Sequence, residues 1–171
     1  MNGLRRQTID NDNRQGIFLI MNHNHIHYMQ KALAQAALAG NHEEVPVGAV
    51  LVSHTGSILA LAHNQVESLG DPTAHAEVLA LREGARKVMN YRLLRTSLYV
   101  TVEPCVMCMG AIIHARVERV VFGAPDPKWG AAGSLYHFAG DNRLNHRPEI
   151  ISGVCADEAR TLLQDFFRKR R

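Results

Sequence analysis

Two short motifs constrain this chain more than anything else in it, His75-Ala76-Glu77 and Pro104-Cys105-Val106-Met107-Cys108. Proline is favoured at the first position of a helix, so the spacing of Cys105 and Cys108 predicts two thiols on one face of an opening turn. The partial positive charge of a helix N-terminus favours thiolates. Two thiolates and the imidazole of His75 give three ligands for tetrahedral zinc and leave a fourth position for water. We therefore predict a catalytic zinc centre.

Glu77 is two residues from His75, a spacing that would direct the two side chains apart in the middle of a helix. The pair is therefore expected at a helix start, with Pro72 before it and Thr73 as the N-cap. Glu77 then lies beside the metal without binding it, as the general acid/base of metal-assisted hydrolysis does. The alternative, a structural zinc knuckle, leaves Glu77 without a role and lacks a fourth ligand.

His-Ala-Glu followed by Pro-Cys-x-x-Cys resembles the signature of the zinc-dependent nucleobase deaminases. Flanking stretches are similar to the bacterial tRNA-specific adenosine deaminases, and the likeness extends from about Tyr28 to Arg171. The zinc motif is specific for the superfamily, whereas the flanks favour the tRNA enzymes. These flanks are Val45-Pro46-Val47-Gly48-Ala49-Val50, Asp71 to Glu77, Asn90-Tyr91-Arg92-Leu93, Gly130-Ala131-Ala132-Gly133-Ser134 and Asp165-Phe166-Phe167-Arg168.

The resemblance implies an α/β protein with the three-layer cytidine-deaminase-like fold, a five-stranded mixed sheet between helices. It implies that a zinc-activated water replaces the C6 amino group of adenosine at the wobble position of a tRNA anticodon, giving inosine and ammonia, while Glu77 moves the protons. One Zn2+ per chain, a tRNA anticodon stem-loop as partner and a homodimer are implied as well. Two alternatives remain: a small-molecule deaminase acting on guanine or a free pyrimidine, and a catalytically silent RNA-binding subunit, against which the intact Glu77 argues.

Four further positions are identified through the resemblance as substrate-binding. Asn64 resembles the Asn that hydrogen-bonds the flipped base, although turn chemistry at a strand end is the alternative. Asp126 resembles the residue that contacts the backbone of the target nucleotide, with a loop turn as the alternative. Val47 and Ala49 are expected to line the base pocket or to belong to the core. Gln65 stands where the family often has Arg, so a phosphate contact there is not implied.

The C-terminal segment has two features of its own. Phe166 and Phe167 lie on an amphipathic helix, where packing in the core is favoured over stacking on RNA. The helix is followed by a basic cluster that is expected to project into solvent. It is predicted either to bind tRNA phosphates or to compensate the helix dipole; its members are Arg168, Lys169, Arg170 and Arg171.

Length and periodicity indicate a single α/β domain. At 171 residues and 46% hydrophobic, the chain has enough apolar side chains for one core. Residues 25–171 are predicted to form one zinc-dependent deaminase domain and residues 1–24 a disordered extension. Helices are predicted at residues 26–38, 75–88, 105–116 and 156–168, and strands at 45–52, 58–62, 97–102, 119–122 and 149–152. The long loop at 124–134 is expected to be functional.

The remaining composition favours a cytoplasmic enzyme without a membrane anchor. Three cysteines, two of them in metal-binding spacing, do not form a disulfide framework and suit a reducing compartment. No apolar run approaches the roughly 20 residues of a membrane span. The net charge of +3 permits a polyanionic partner without requiring one.

Overall fold

A computed structural model of the chain describes residues 24–170. The predicted N-terminal extension lies outside the described residues, apart from residue 24, which is helical. In chain order the described elements are α1 (residues 24–41), β1 (Gly48–Val52), β2 (Ile58–His63), α2 (Val66–Leu69), α3 (Ala76–Val88), β3 (Ser97–Val102), α4 (Val106–Ala115), β4 (Arg119–Ala124), a 3-10 turn (Phe138–Gly140), β5 (Glu149–Ser152) and α5 (Ala156–Lys169).

The strands form one mixed sheet in the order β2-β1-β3-β4-β5. β1 and β2 make the predicted antiparallel hairpin, whose turn is closed by the hydrogen bond from Ser53 N to Ser57 O at 2.9 Å. β3 pairs antiparallel with β1 and parallel with β4, and β4 pairs parallel with β5. The parallel pair β3 and β4 requires a crossover, which α4 supplies. The expected five-stranded mixed sheet is confirmed.

Helices cover both faces of this sheet. Successive strand residues point to opposite faces, so Ala49 and Leu51 of β1 pack in the cluster that contains the buried residues of α3 and α4, whereas Val50 and Val52 pack in the cluster that contains Met29 of α1. α5 contacts β4 and β3 on the face that carries α1. Burial on both faces explains why the middle strands are apolar almost throughout, and the three-layer fold is confirmed.

α1 approaches β1 most closely at Gly48. A Cβ atom there would lie 2.0 Å from the backbone oxygen of Ala32 and 2.5 Å from the backbone nitrogen of Ala36, so only glycine fits. Gly48 N also donates a hydrogen bond to Thr101 Oγ1 at 3.1 Å. The neighbouring residue Val47 accepts a hydrogen bond from Asn64 N at 3.1 Å through its carbonyl oxygen. The packing of α1 on Gly48 therefore fixes the start of β1, next to which Asn64 lies.

Two helices differ most from the sequence prediction. α1 is helical over residues 24–41 rather than 26–38, and α2 is an additional helical turn. The N-terminus of α2 is satisfied by the buried carboxylate of Glu44, which accepts hydrogen bonds from Glu67 N at 3.2 Å and Ser68 N at 2.8 Å. Because this carboxylate belongs to a loop more than 20 residues earlier, the local sequence gives no capping signal for α2.

α5 packs on the sheet mainly through its first half. Ala159 is its fully buried residue, whereas Phe166 is half-buried and Phe167 is 50% exposed. The expectation that both phenylalanines belong to the core is therefore wrong for Phe167. Neither α5 nor any other helix within residues 24–170 combines the length and apolar character needed to cross a membrane.

Candidate metal centre

Three metal-binding atoms converge, Nδ1 of His75 and the sulfur atoms of Cys105 and Cys108. The sulfur of Cys105 lies 3.7 Å and that of Cys108 3.6 Å from His75 Nδ1, and all three atoms are within 4.8 Å of one another. Tetrahedral zinc, with bonds of about 2.3 Å to sulfur and 2.0 Å to nitrogen, separates such ligand atoms by about 3.6 Å. The donor set and its spacing therefore fit zinc. Within residues 24–170 no other group of three such ligands occurs.

The N-termini of two helices carry these ligands. His75 is the N-cap of α3 and Cys105 is the N-cap of α4, both with extended backbone, and Cys108 follows in the first turn of α4. The partial positive charges of the two helix N-termini favour thiolates where the three ligand atoms converge. Pro104 precedes the N-cap instead of occupying the first helical position, so the predicted helix start is early by one residue. The shared face of the two thiols is nevertheless as expected.

The start of α3 is held by Asn64 and not by Thr73. Asn64 is buried, and its Oδ1 accepts a hydrogen bond at 2.9 Å from Ala76 N, the first residue of the helix. The backbone N and the hydroxyl of Thr73 instead donate to Asp71 Oδ1, at 2.8 and 2.7 Å. The predicted N-cap role of Thr73 is therefore wrong, because a side chain distant in sequence satisfies the helix. Asn64 has a structural task that neither sequence interpretation included.

Protonation couples the two thiols and the imidazole. A hydrogen bond with Cys108, helped by His75, lowers the pKa of Cys105 to about 4 against the effect of burial. The same thiol–thiol hydrogen bond, together with burial, raises the pKa of Cys108. The hydrogen bond with Cys105 raises the pKa of His75, although burial opposes it. Since zinc binds the deprotonated ligands, its binding must displace these protons and should strengthen as pH rises.

Glu77 lies next to the ligands in the first turn of α3. It is 3% exposed, and its Oε2 has no hydrogen-bond partner among the described residues. Burial raises the pKa of Glu77, while its own backbone N–H and the charge of His75 lower it in part. A buried carboxylate oxygen without a partner is costly. A water or a substrate group at the metal centre would satisfy it, and a carboxyl with a raised pKa suits proton transfer.

Val47 and Ala49 lie on the same side of the sheet as α3. Val47 is half-buried and packs against the core cluster that contains Ala49 and Ala76. Ala49 has no exposed surface. Of the two, Val47 is therefore the residue with surface left to face a bound base, while Ala49 supports the neighbouring core.

Asp126 forms a turn in the loop that follows β4. Its Oδ1 accepts hydrogen bonds from Lys128 N at 2.9 Å and from Trp129 N at 3.2 Å. Its own backbone N donates to Glu103 Oε2 at 3.0 Å. The turn role is thus present in the structure. The side chain of Asp126 is half-buried. Its contact with a nucleotide stays a prediction.

Glu103, the residue before the Pro-Cys motif, has a role that the motif alone does not indicate. Glu103 is 3% exposed and accepts hydrogen bonds from three backbone N–H groups and one hydroxyl of the loop after β4. These hydrogen bonds outweigh burial, which alone would raise its pKa, and lower the pKa of the carboxyl. The donors lie 23–31 residues downstream, so local patterns give no sign of them. The one available signal was an acidic residue two positions before the predicted metal ligand Cys105.

Two of the basic residues at the end of α5 have side-chain contacts within the protein. Arg168 pairs with Asp165 at 2.8 Å. The guanidinium of Arg170 lies 4.4 Å from the ring centre of Phe166, and this arginine also donates to a backbone oxygen in the loop before β1. Lys169 is exposed. Arg170 is exposed as expected, although its guanidinium turns back onto α5 and the loop before β1, and Arg171 lies outside the described residues.

Comparisons with known proteins agree on a family. The family model of the cytidine and deoxycytidylate deaminase zinc-binding region matches residues 22–124. A tRNA-specific adenosine deaminase of Haemophilus influenzae is 52% identical over 143 residues, which are 84% of this chain and 83% of that protein.

Solved structures with the same fold include two kinds of deaminase. One comes from studies of A-to-I editing by tRNA:A34 deaminases at the wobble position of transfer RNA; it is 42% identical with a TM-score of 0.77, over 80% of this chain and 99% of that chain. A guanine deaminase from Bacillus subtilis is 38% identical with a TM-score of 0.57, over 63% of this chain and 68% of that chain. The likeness to the first structure is thus closer and more extensive.

Proposed function

This chain belongs to the cytidine and deoxycytidylate deaminase family, and we propose that it hydrolyses adenosine to inosine at the wobble position of a tRNA anticodon, releasing ammonia. The single observation that carries the chemistry is the buried oxygen of Glu77, which lacks a partner among the described residues and lies beside three metal-binding atoms. The choice of adenosine in tRNA is supported by the 52% identical tRNA-specific adenosine deaminase.

The metal site is proposed to hold one zinc ion per chain. His75, Cys105 and Cys108 would be its ligands, and the ion would act as a Lewis acid that lowers the pKa of a bound water. The two helix N-termini stabilise the thiolates in this arrangement. Zinc content measured by elemental analysis tests the stoichiometry, and a value near one per chain is expected.

Glu77 is proposed to carry the protons of the reaction. Its carboxylate accepts a proton from the water that attacks C6 of adenine, and it delivers a proton to the ring nitrogen N1. It then assists the departure of the amino group as ammonia, so that adenosine and water give inosine and ammonia. The raised pKa of the buried Glu77 supports this role, because a carboxylate with a higher pKa accepts the proton of the water more readily.

Substrate contacts are proposed at the positions identified from the resemblance. The Oδ1 atom of Asn64 is committed to Ala76 N, so we assign the contact with the flipped base to its amide nitrogen. Val47 is proposed to face the base, with Ala49 behind it, and Asp126 to approach the backbone of the target nucleotide. The basic cluster is proposed to bind tRNA phosphates through Arg168, Lys169, Arg170 and Arg171.

Two broader properties rest on the family resemblance. We propose a homodimer, for which analytical ultracentrifugation should give twice the chain mass of 19.0 kDa. We also propose a cytoplasmic location, since tRNA is the substrate. A monomer at micromolar concentration that deaminates tRNA at full rate would contradict the first of these.

The decisive experiment compares substrates. The zinc-loaded protein is incubated with an anticodon stem-loop that carries adenosine at the wobble position, with a matched stem-loop whose adenosine is moved by one nucleotide, and with free guanine, cytosine and cytidine. We expect inosine at the wobble position of the first RNA alone. Ammonia release from guanine with no change in either RNA would identify a small-molecule deaminase. RNA binding without ammonia from any substrate would indicate a silent subunit.

A further inference from the structure

Glu103 uses all of its hydrogen-bonding capacity on one loop. Its Oε1 accepts hydrogen bonds from Ala132 N at 3.0 Å and Ser134 N at 2.9 Å, and its Oε2 accepts from Asp126 N at 3.0 Å and from the hydroxyl of Ser134. A carboxylate offers about four acceptor positions, and all are filled here. Glu103 therefore has no free lone pair with which to act on a substrate, which excludes a proton-transfer role.

The backbone around Glu103 is fastened to the same loop. Ala131 N donates to the carbonyl oxygen of Pro104 at 2.9 Å, and Cys105 forms an antiparallel bridge with Gly130. The segment that supplies a metal ligand is thus joined to the loop over residues 126–134, hereafter the anchored loop, by both main chain and side chain. Any displacement of Glu103 should move this loop relative to the metal centre.

Gly130 shows how tightly the carboxylate fits. A Cβ atom at this position would lie 2.4 Å from the carboxyl carbon of Glu103 and 2.5 Å from the backbone oxygen of Asp126. One of these two groups is main chain, and the other is a buried side chain with four hydrogen bonds. Neither is free to move aside, so a side chain at Gly130 would displace the anchored loop while leaving the chemistry of Glu103 intact.

The outer part of the anchored loop carries groups suited to single-stranded RNA. Lys128 and Trp129 are exposed, Trp129 by 68%, and they follow closely after Asp126. An exposed indole offers a face on which a base can stack, and a neighbouring ammonium pairs with phosphate. Gly130 O also accepts hydrogen bonds at 3.0 Å from Leu135 N and Tyr136 N, whose side chains are half-exposed.

We propose that Glu103 is a positioning residue: through the anchored loop it holds Lys128 and Trp129 at the rim of the metal centre, where they bind the nucleotides that flank the target adenosine. This inference rests on the proposed function for its substrate. The anchoring itself is a property of the fold and can be measured without any reaction.

Trp129 makes the anchoring directly observable, because it is the one tryptophan of the chain. The main variant is Glu103→Gln, whose amide NH2 would face N–H and O–H donors and break at least one hydrogen bond. Glu149→Gln is the matched control. Glu149 is an exposed carboxylate on β5, which flanks β4 on the side away from β3, and it pairs with Arg119. Ser134→Ala and Gly130→Ala are further variants that disturb the same contact from the other side.

In the zinc-loaded protein, Glu103→Gln should lower the anisotropy of Trp129 fluorescence and increase its quenching by acrylamide. With the stem-loop RNA, KM should rise about tenfold or more while kcat stays within about threefold, because binding is lost and proton transfer is not. Zinc content should remain near one per chain. Gly130→Ala should reproduce this pattern, Ser134→Ala should show it more weakly, and Glu149→Gln should match the wild type.

Loss of zinc in Glu103→Gln with unchanged Trp129 fluorescence would overturn the proposal in favour of a support for the metal ligands. A fall in kcat at unchanged KM would overturn it as well. If Glu103→Gln does not fold, Gly130→Ala and Ser134→Ala decide the outcome by the same measurements. Failure of the wild type to deaminate the stem-loop would refute the proposed function alone, since the fluorescence and zinc measurements still test the anchoring.

Discussion

At the scale of single residues, Glu77 combines burial with an oxygen that no described residue satisfies. Glu77→Ala should reduce single-turnover deamination by a factor of at least about 10² to 10⁴, the usual contribution of a general acid/base. Zinc content should stay near one per chain, because Glu77 is not a ligand. Elemental analysis and rapid-quench kinetics check both statements. Glu83→Ala, an exposed change on the same helix, is the control, and metal loss confined to Glu77→Ala would make Glu77 a ligand instead.

Asn64 has two separable roles. Asn64→Ala leaves the buried N–H of Ala76 without a partner, which should destabilise the fold by about 1–3 kcal/mol. Asn64→Asp keeps an oxygen acceptor at the positive end of α3 and should restore most of that stability. If the amide nitrogen of Asn64 binds the base, Asn64→Asp remains inactive although it is folded. Denaturant unfolding and stem-loop kinetics on the two variants decide, and an active Asn64→Asp would leave only the capping role.

His25 should make stability depend on pH. Its Nδ1 lies 2.9 Å from the hydroxyl of Tyr99, and burial, reinforced by Arg119, lowers the pKa of His25 although Glu149 opposes this. A lowered pKa means that the folded state favours neutral His25, so stability is fully present above the unfolded value of about 6.5 and is lost as pH falls below it. The difference in unfolding free energy between wild type and His25→Gln should therefore change between about pH 7 and pH 5.

The control for this measurement is His27→Gln, because His27 is exposed on the same helix. Comparing variants at each pH cancels the acid-induced release of zinc that they share with the wild type. If His25→Gln and the wild type lose stability in parallel, His25 does not titrate in this range.

At the scale of elements, the packing of α1 on β1 depends on the missing side chain of Gly48. Gly48→Ala should destabilise the fold by about 1–3 kcal/mol or more, because its methyl group meets main chain that cannot rotate away. Gly110→Ala is the contrast: a Cβ atom added there would meet no neighbouring group of residues 24–170 within 4 Å, and alanine should stabilise α4 by about 0.5–1 kcal/mol. Thermal unfolding measures both, and equal effects would refute the steric explanation.

Elements that depend on interactions between residues close in sequence were predicted, and features that depend on distant residues were not. Alternation and periodicity are local, so the strands and the long helices were predicted to within a few residues. The metal ligands could also be predicted, because their spacing within each motif is local. By contrast, the caps of α2 and α3 come from Glu44 and Asn64, and the anchoring of the loop comes from Glu103. The hydrogen bonds of these three side chains join residues that are 12 to 31 positions apart in sequence, and no periodic pattern predicts such contacts.

At the scale of the whole molecule, the basic cluster is expected to respond to salt. Arg168→Ala combined with Lys169→Ala should flatten the slope of log K for tRNA against log salt by about 1–2 units, if each contacts one phosphate. Arg160→Ala is the matched control, because Arg160 forms the same kind of i,i+3 pair near the other end of α5. Zinc content and the single-turnover rate at saturating RNA should not change. An unchanged slope in the folded double variant would leave helix-dipole compensation as the role of these residues.

Within the anchored loop, Asp126 and Gly130 are held in place and the residues between them face solvent. Asp126 N donates to Glu103 Oε2 at 3.0 Å, and Gly130 N donates to Asp126 O at 2.9 Å, while Glu103 leaves no space for a side chain at Gly130. Residues 127–129 between them are all exposed. Directed evolution of substrate preference can therefore randomise these three positions as a cassette, while Glu103 and Gly130 stay fixed. A library built this way samples new surfaces beside the reactive centre without sampling new folds.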